Sequence, residues 1–167
     1  PVGEDKLKVK NEIALTARFG PIVAYKYRHA STELWEDGQL VKLESETYKN
    51  GNDYQLIAEL GQAGLNVQGT GYQGQVSSAI IPSSHWNISQ IFSDTILSSE
   101  DGQLLPIETT NLGRETLTID GVDVQATKFQ MSSDLTVFLW YDDEGRWLKC
   151  AFTARGQNIE YQLTSLY

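Results

Sequence analysis

Lys6-Leu7-Lys8-Val9-Lys10-Asn11-Glu12-Ile13-Ala14-Leu15-Thr16-Ala17-Arg18-Phe19 alternates apolar and polar side chains almost without a break. Leu7, Val9, Ile13, Leu15, Ala17 and Phe19 fall on one side, and Lys6, Lys8, Lys10, Glu12, Thr16 and Arg18 on the other. That period of two marks a strand with one face buried. Asn11 interrupts the apolar side and needs a hydrogen-bond partner wherever it is buried. A second long strand follows Pro21, with Val23, Tyr25, Tyr27, His29, Ser31, Glu33 and Trp35 at its odd positions.

The same pattern runs outward along the chain. Asp37-Gly38, Asn50-Gly51, Asp101-Gly102, Asp120-Gly121, Glu144-Gly145 and Arg155-Gly156 supply the positive φ values of tight hairpin turns. Residues 135–141, 146–153 and 157–163 read as two consecutive hairpins rich in Trp, Tyr, Phe and β-branched side chains. About nine or ten strands result. They imply one mainly β domain over residues 1–167, built as a strongly curved antiparallel sheet or incomplete β-barrel, because a flat sheet of that size leaves exposed edges. Pro82–Phe92 breaks the pattern: its serines stand as caps and its bulky residues at helical spacing, which predicts one short covering helix of about two or three turns. Glycines 61, 64, 69, 71 and 74 read as bulges and tight curvature, since no Lys accompanies them to make a phosphate cradle.

Composition narrows the function classes. The 167 residues carry 13 Lys+Arg against 22 Asp+Glu, a formal net charge of -9, and no Lys or Arg lies between Lys49 and Arg114. Net repulsion from a polyanion argues against a nucleic-acid partner and against an anionic-membrane patch in that stretch. The apolar runs are too short for a transmembrane helix. Cys150, the lone cysteine, has no disulfide partner and reads as a small buried hydrophobe in a strand. The chain opens at Pro1-Val2-Gly3 inside strand-like sequence, and the expectation is that an N-terminal strand or signal segment is missing.

Tyr25-Lys26-Tyr27-Arg28-His29, residues 31–40, Ser84-His85-Trp86-Asn87, Leu139-Trp140-Tyr141-Asp142, Gly145-Arg146-Trp147 and residues 156–161 carry a family resemblance when taken together and in this order. They resemble an uncharacterised bacterial family, a domain of unknown function whose members typically carry secretion signals. That family is similar to another secreted domain of unknown function and, distantly, to the LolA/LolB-like lipoprotein carriers. The resemblance implies a periplasmic or secreted location, an incomplete barrel with helices on its concave side, and a capacity to hold something apolar. It implies no activity, and a fold alone establishes none.

Catalytic chemistry finds little support in the residues. Ser84 and His85 are neighbours, an arrangement that seldom lets a base reach a nucleophile, and no G-x-S-x-G elbow is present. His29 and Glu33 share a strand face but stand about 13 Å apart at that spacing, too far to share an ion with His85. Asp142-Asp143-Glu144-Gly145 reads as a solvated turn rather than a calcium loop. No catalytic residue, metal ligand or cofactor is assigned. The aromatic residues point instead to binding: Tyr25, Tyr27, Trp35 and Trp86 as an apolar wall, His29 and Glu33 as polar groups that orient a ligand. Two readings stand. One is a non-catalytic envelope domain that holds a lipid or other apolar molecule on its concave face. The other is an envelope structural or protein-interaction module with a packed core, for which the same aromatics are filling.

Overall fold

The structure, a computed structural model, describes residues 5–19, 21–154 and 156–166. It is mainly β, with 68% of the described residues in strands. The thirteen strands are β1 (Lys6–Phe19), β2 (Ile22–Glu36), β3 (Gln39–Lys49), β4 (Asn52–Gly61), β5 (Gly64–Gly69), β6 (Gln73–Val76), β7 (Thr95–Leu97), β8 (Leu104–Pro106), β9 (Glu108–Ile119), β10 (Val122–Ser132), β11 (Thr136–Tyr141), β12 (Trp147–Ala154) and β13 (Gln157–Gln162). They form three antiparallel sheets, ordered β1-β2-β3-β4-β5-β6, β13-β12-β11-β10-β9 and β7-β8, and no closed barrel. Two compact units result, one of Pro1–Ser83 with Leu97–Leu104 and one of Ser84–Ile96 with Leu105–Tyr167. The Pro1-Val2-Gly3 opening, Arg155, and the side chains of Ala17, Phe19 and Val23 lie outside the described residues.

The first unit is a meander whose turns are written in the sequence. Asp37-Gly38 joins β2 to β3 and Asn50-Gly51 joins β3 to β4, all four residues at positive φ. This doubly positive turn matches the right-handed twist of the strands it joins. The registers place one continuous face inward: Trp35 of β2, Leu43 of β3, Leu56 and Ala58 of β4, Leu65 and Val67 of β5 are all buried. Residues 97–103 then lie on that face as a strap. The Ser45 hydroxyl donates to Ser99 O (2.6 Å), Gly71 N–H donates to Asp101 O (2.9 Å), and Gly102 packs on Leu56 and Val67. Gly69 is what lets the strap approach, because a Cβ there would collide with the Asp101 carbonyl. The glycine-rich run thus serves close backbone approach at this position, where the sequence suggested bulges.

The second unit buries both faces of its five-stranded sheet. Ile91, Ile96, Ile107, Met131, Val137, Leu139, Tyr141 and Cys150 form one cluster; Leu117, Ile119, Ala126, Trp140 and Leu148 form another, with Leu163 and Leu166 packed against it. The expected helix of two or three turns is corrected to a single 3₁₀ segment, Ile88–Phe92. The cause is local. Pro82 is bridged to Leu97, Ser83 N–H donates to Leu97 O, and His85 adopts a left-handed φ of 68°, so no regular helix can start before Asn87. Asn87 then caps the short segment, its side chain accepting from Ser89 N–H.

Gly69→Ala should cost about 1–3 kcal/mol in urea unfolding, the usual penalty for overpacking. Gln68→Ala, one residue away on the exposed side of β5, should stay within about 0.5 kcal/mol.

Candidate functional site

Period-two geometry puts Tyr25, Tyr27, His29, Ser31, Glu33 and Trp35 on one face of β2. Along that row burial changes sharply. Trp35 is 4% exposed, Glu33 0%, Ser31 6% and His29 5%, whereas Tyr25 and Tyr27 are half-buried. At the closed end the Trp35 indole Nε1–H donates to Glu33 Oε2 at 2.8 Å, so the two residues hold each other inside the core. In the middle, His29 Nδ1 lies 2.7 Å from Thr47 Oγ1. Burial pushes the His29 pKa below its ordinary 6.5, with the Glu100 charge pulling the other way. At the open end the Glu100 carboxylate accepts from the Tyr27 hydroxyl (2.9 Å) and from Lys49 Nζ (3.1 Å), which pins the strap to β2 and β3.

The open end is also apolar. Tyr25, Tyr27 and His29 stack in sequence, with ring centroids 6.4 Å apart at each step. Across the β1–β2 ladder, Leu15 faces Tyr27 and Ile13 faces His29, both half-buried. A shelf of aromatic rings and aliphatic side chains therefore lies beside a bound carboxylate and a lysine. A separate trough of about 690 Å³ lies on the outward side of the same sheet, where Ala14 and Ala30 leave space among Glu12, Arg28, Glu46 and Tyr48. Its walls mix charges of both signs, Glu12, Glu46, Asp53 and Arg28, with the apolar surface of Ala14, Ala30, Tyr48 and Tyr54.

Five of the six residues assigned from sequence thus share one strand face: Tyr25 and Tyr27 at the open end, His29, Glu33 and Trp35 in the packed part. Trp86 belongs to the second unit. Its neighbour His85 is tied into a closed circuit: His85 Nδ1 lies 3.0 Å from Gln90 Oε1, Gln90 Nε2 donates to the Tyr141 hydroxyl (2.6 Å), and that hydroxyl donates to His85 O (2.6 Å). Burial raises the Tyr141 pKa well above its usual 10 and lowers that of His85. Ser84 Oγ is buried without a partner, so it forms no nucleophile–base pair with its neighbour. Glu100, Thr47 and the Gln90 link to Tyr141 escaped the sequence reading because their partners stand 73, 18 and 51 residues away, beyond any local pattern.

Other chemistry is modest. Among the described residues no group of three or more His, Cys, Asp or Glu could hold a metal ion. Cys150 is buried in β12, its thiol pushed up to about 12 by desolvation, far from a reactive thiolate. Asp142 accepts from Glu144 N–H, Arg146 N–H and Arg146 Nε–H, which spends its carboxylate on the turn. No described helix is long and apolar enough to cross a membrane.

A family model described as a domain of unknown function, DUF6134, matches residues 1–164. The chain belongs to that family. No curated protein and no solved structure matches it. What the DUF6134 fold offers chemically is therefore read from its own side chains: one half-open aromatic face and two buried histidine-centred hydrogen-bond groups.

The two histidines carry a pH signature. Each has a folded-state pKa below its ordinary value, so the unfolded chain takes up the proton first as pH falls. Stability from each is intact above about 6.5, declines as pH falls from there toward the folded-state pKa, and is constant below it. Urea unfolding at about pH 7.5 and 5.5 should show this loss, and His29→Gln should shrink it.

Proposed function

We propose that this domain is a non-catalytic binding module that takes a hydrophobic or amphipathic ligand on the inward face of its first sheet. The observation that carries the reading is the burial gradient along β2, from the enclosed Trp35 to the half-buried Tyr25 and Tyr27. An apolar chain laid on Leu15, Tyr25 and Tyr27 would be removed from water at about 25 cal/mol per Å², before association costs. Glu100 and Lys49 stand where a polar head group would end.

A periplasmic or secreted location and a LolA/LolB-like half-barrel are parts of the same proposal. Their support is the resemblance described above, together with an antiparallel meander that ends at β1 without closing. The packing of Glu33 and Trp35 favours a second reading, an envelope protein-interaction module, in which the closed part of this face is simply core.

Titration with a fluorescent fatty-acid probe separates the two. Tyr25→Ala and Leu15→Asp should each weaken uptake at least about tenfold, the loss of some 1.4 kcal/mol of contact. Trp35→Ala should instead cost about 3–5 kcal/mol of stability, as a packed aromatic site does. Uptake indifferent to Tyr25→Ala and Leu15→Asp would discard the ligand reading in favour of the interaction module.

A further inference from the structure

We propose that the ligand of the half-open face carries a carboxylate, and that Glu100 is its resident stand-in, displaced from Tyr27 and Lys49 when the ligand binds. This rests on the ligand reading above and names the chemistry of the head group. Tyr27 and Lys49 are directly opposed in the β2–β3 register, so their side chains leave the same face of the sheet as neighbours. Together they hold one carboxylate with a separate donor on each oxygen. The Tyr27 hydroxyl donates to Glu100 Oε1 at 2.9 Å, and Lys49 Nζ donates to Oε2 at 3.1 Å. Two donors from two strands match the two oxygens of a planar carboxylate.

The two donors belong to the sheet, whereas the carboxylate comes from the irregular strap. The Glu100 side chain is 29% exposed and that of Lys49 43%. An ion pair this open contributes little to stability, so one carboxylate can replace another at small cost to the fold. Leu15, Tyr27 and Lys49 stand in one row across β1, β2 and β3. Over about 10 Å, two strand spacings, an aliphatic side chain, an aromatic ring and an ammonium therefore follow one another. That is the order of tail and head in a fatty acid. Among the described residues, Lys49 is the one Lys or Arg that the registers place on the inward face of this sheet. Burial pulls its pKa down, but Glu100, with Tyr25 and Tyr54 behind it, holds it above its ordinary value. An amine head group would have to take Glu100 as its acceptor and leave Lys49 without a counter-ion. A neutral head group would displace the carboxylate and restore no charge. A ligand carboxylate exchanges like for like: both donors stay paired, and Glu100 turns into water it already touches.

Fluorescence titration of the whole chain tests this at about pH 7.5, where carboxylates are ionised. The probes are a long-chain carboxylic acid with a pyrene at its tail and the methyl ester of the same acid. The acid should bind at least about tenfold tighter than the ester. Glu100→Gln removes the competing charge and should raise that preference at least about threefold further. Lys49→Gln should abolish the preference, and Lys49→Arg should keep it; urea unfolding checks that each variant is folded. Acid and ester bound equally well would overturn the carboxylate assignment while leaving the apolar reading in place. A preference that falls in Glu100→Gln would overturn the stand-in role. Binding of neither probe would overturn the ligand reading and this inference together.

Discussion

The first unit depends on one close approach: the strap of residues 97–103 lying across the inward face of a six-stranded sheet. A sheet face covered on one side by another layer is the ordinary way to bury a period-two apolar row. Here the cover is an irregular segment, so its backbone polar groups need partners, and they find them. Ser99 O takes the Ser45 hydroxyl and Asp101 O takes Gly71 N–H, while Gly102 N–H closes back on Ser98 O. Glycines at 69 and 102 supply the missing volume that lets chain and sheet touch. Glu100, in the middle of the strap, is bound to Tyr27 and Lys49, and Tyr27 is the first residue of the β2 row, counting back from Trp35, that is only half-buried.

Much of this was legible in the chain. The alternation in residues 6–19 and 25–35 specified β1 and β2 and the face each would bury, and the Asp-Gly and Asn-Gly pairs specified three of the hairpins. Aromatic hairpins near the end became β11, β12 and β13. The strap was not legible, because its sequence is turn-like and its contacts reach as far as Tyr27, 73 residues away. The helix expectation failed for a different reason: spacing suited a helix, but Pro82, Ser83 and His85 were already committed to a bridge, a ladder bond and a left-handed backbone. Among the candidate ligand residues, period-two spacing placed five on one strand face but could not separate packed members from open ones. Trp35 and Tyr25 look alike as large aromatics; what distinguishes them is burial in the fold, Trp35 being 4% exposed and Tyr25 half-buried.

Electrostatics divides the molecule in the same way. The chain is acidic overall, yet eight of its thirteen Lys and Arg precede residue 50, and the outward face of β1 is a row of lysines ending in Glu12. Such a row of charged side chains is one of the ways a strand at the side of a sheet is guarded against unwanted pairing. The inward face instead carries uncharged or internally paired groups, with His29 held neutral by burial.

The functional proposal puts an apolar molecule at the open end of the inward face. Organic extraction of natively purified protein, followed by mass spectrometry beside a denatured and refolded control, tests it most directly. The account predicts a near-stoichiometric apolar or amphipathic molecule in the native sample that disappears on refolding. A cooperatively folded protein that yields nothing would contradict it.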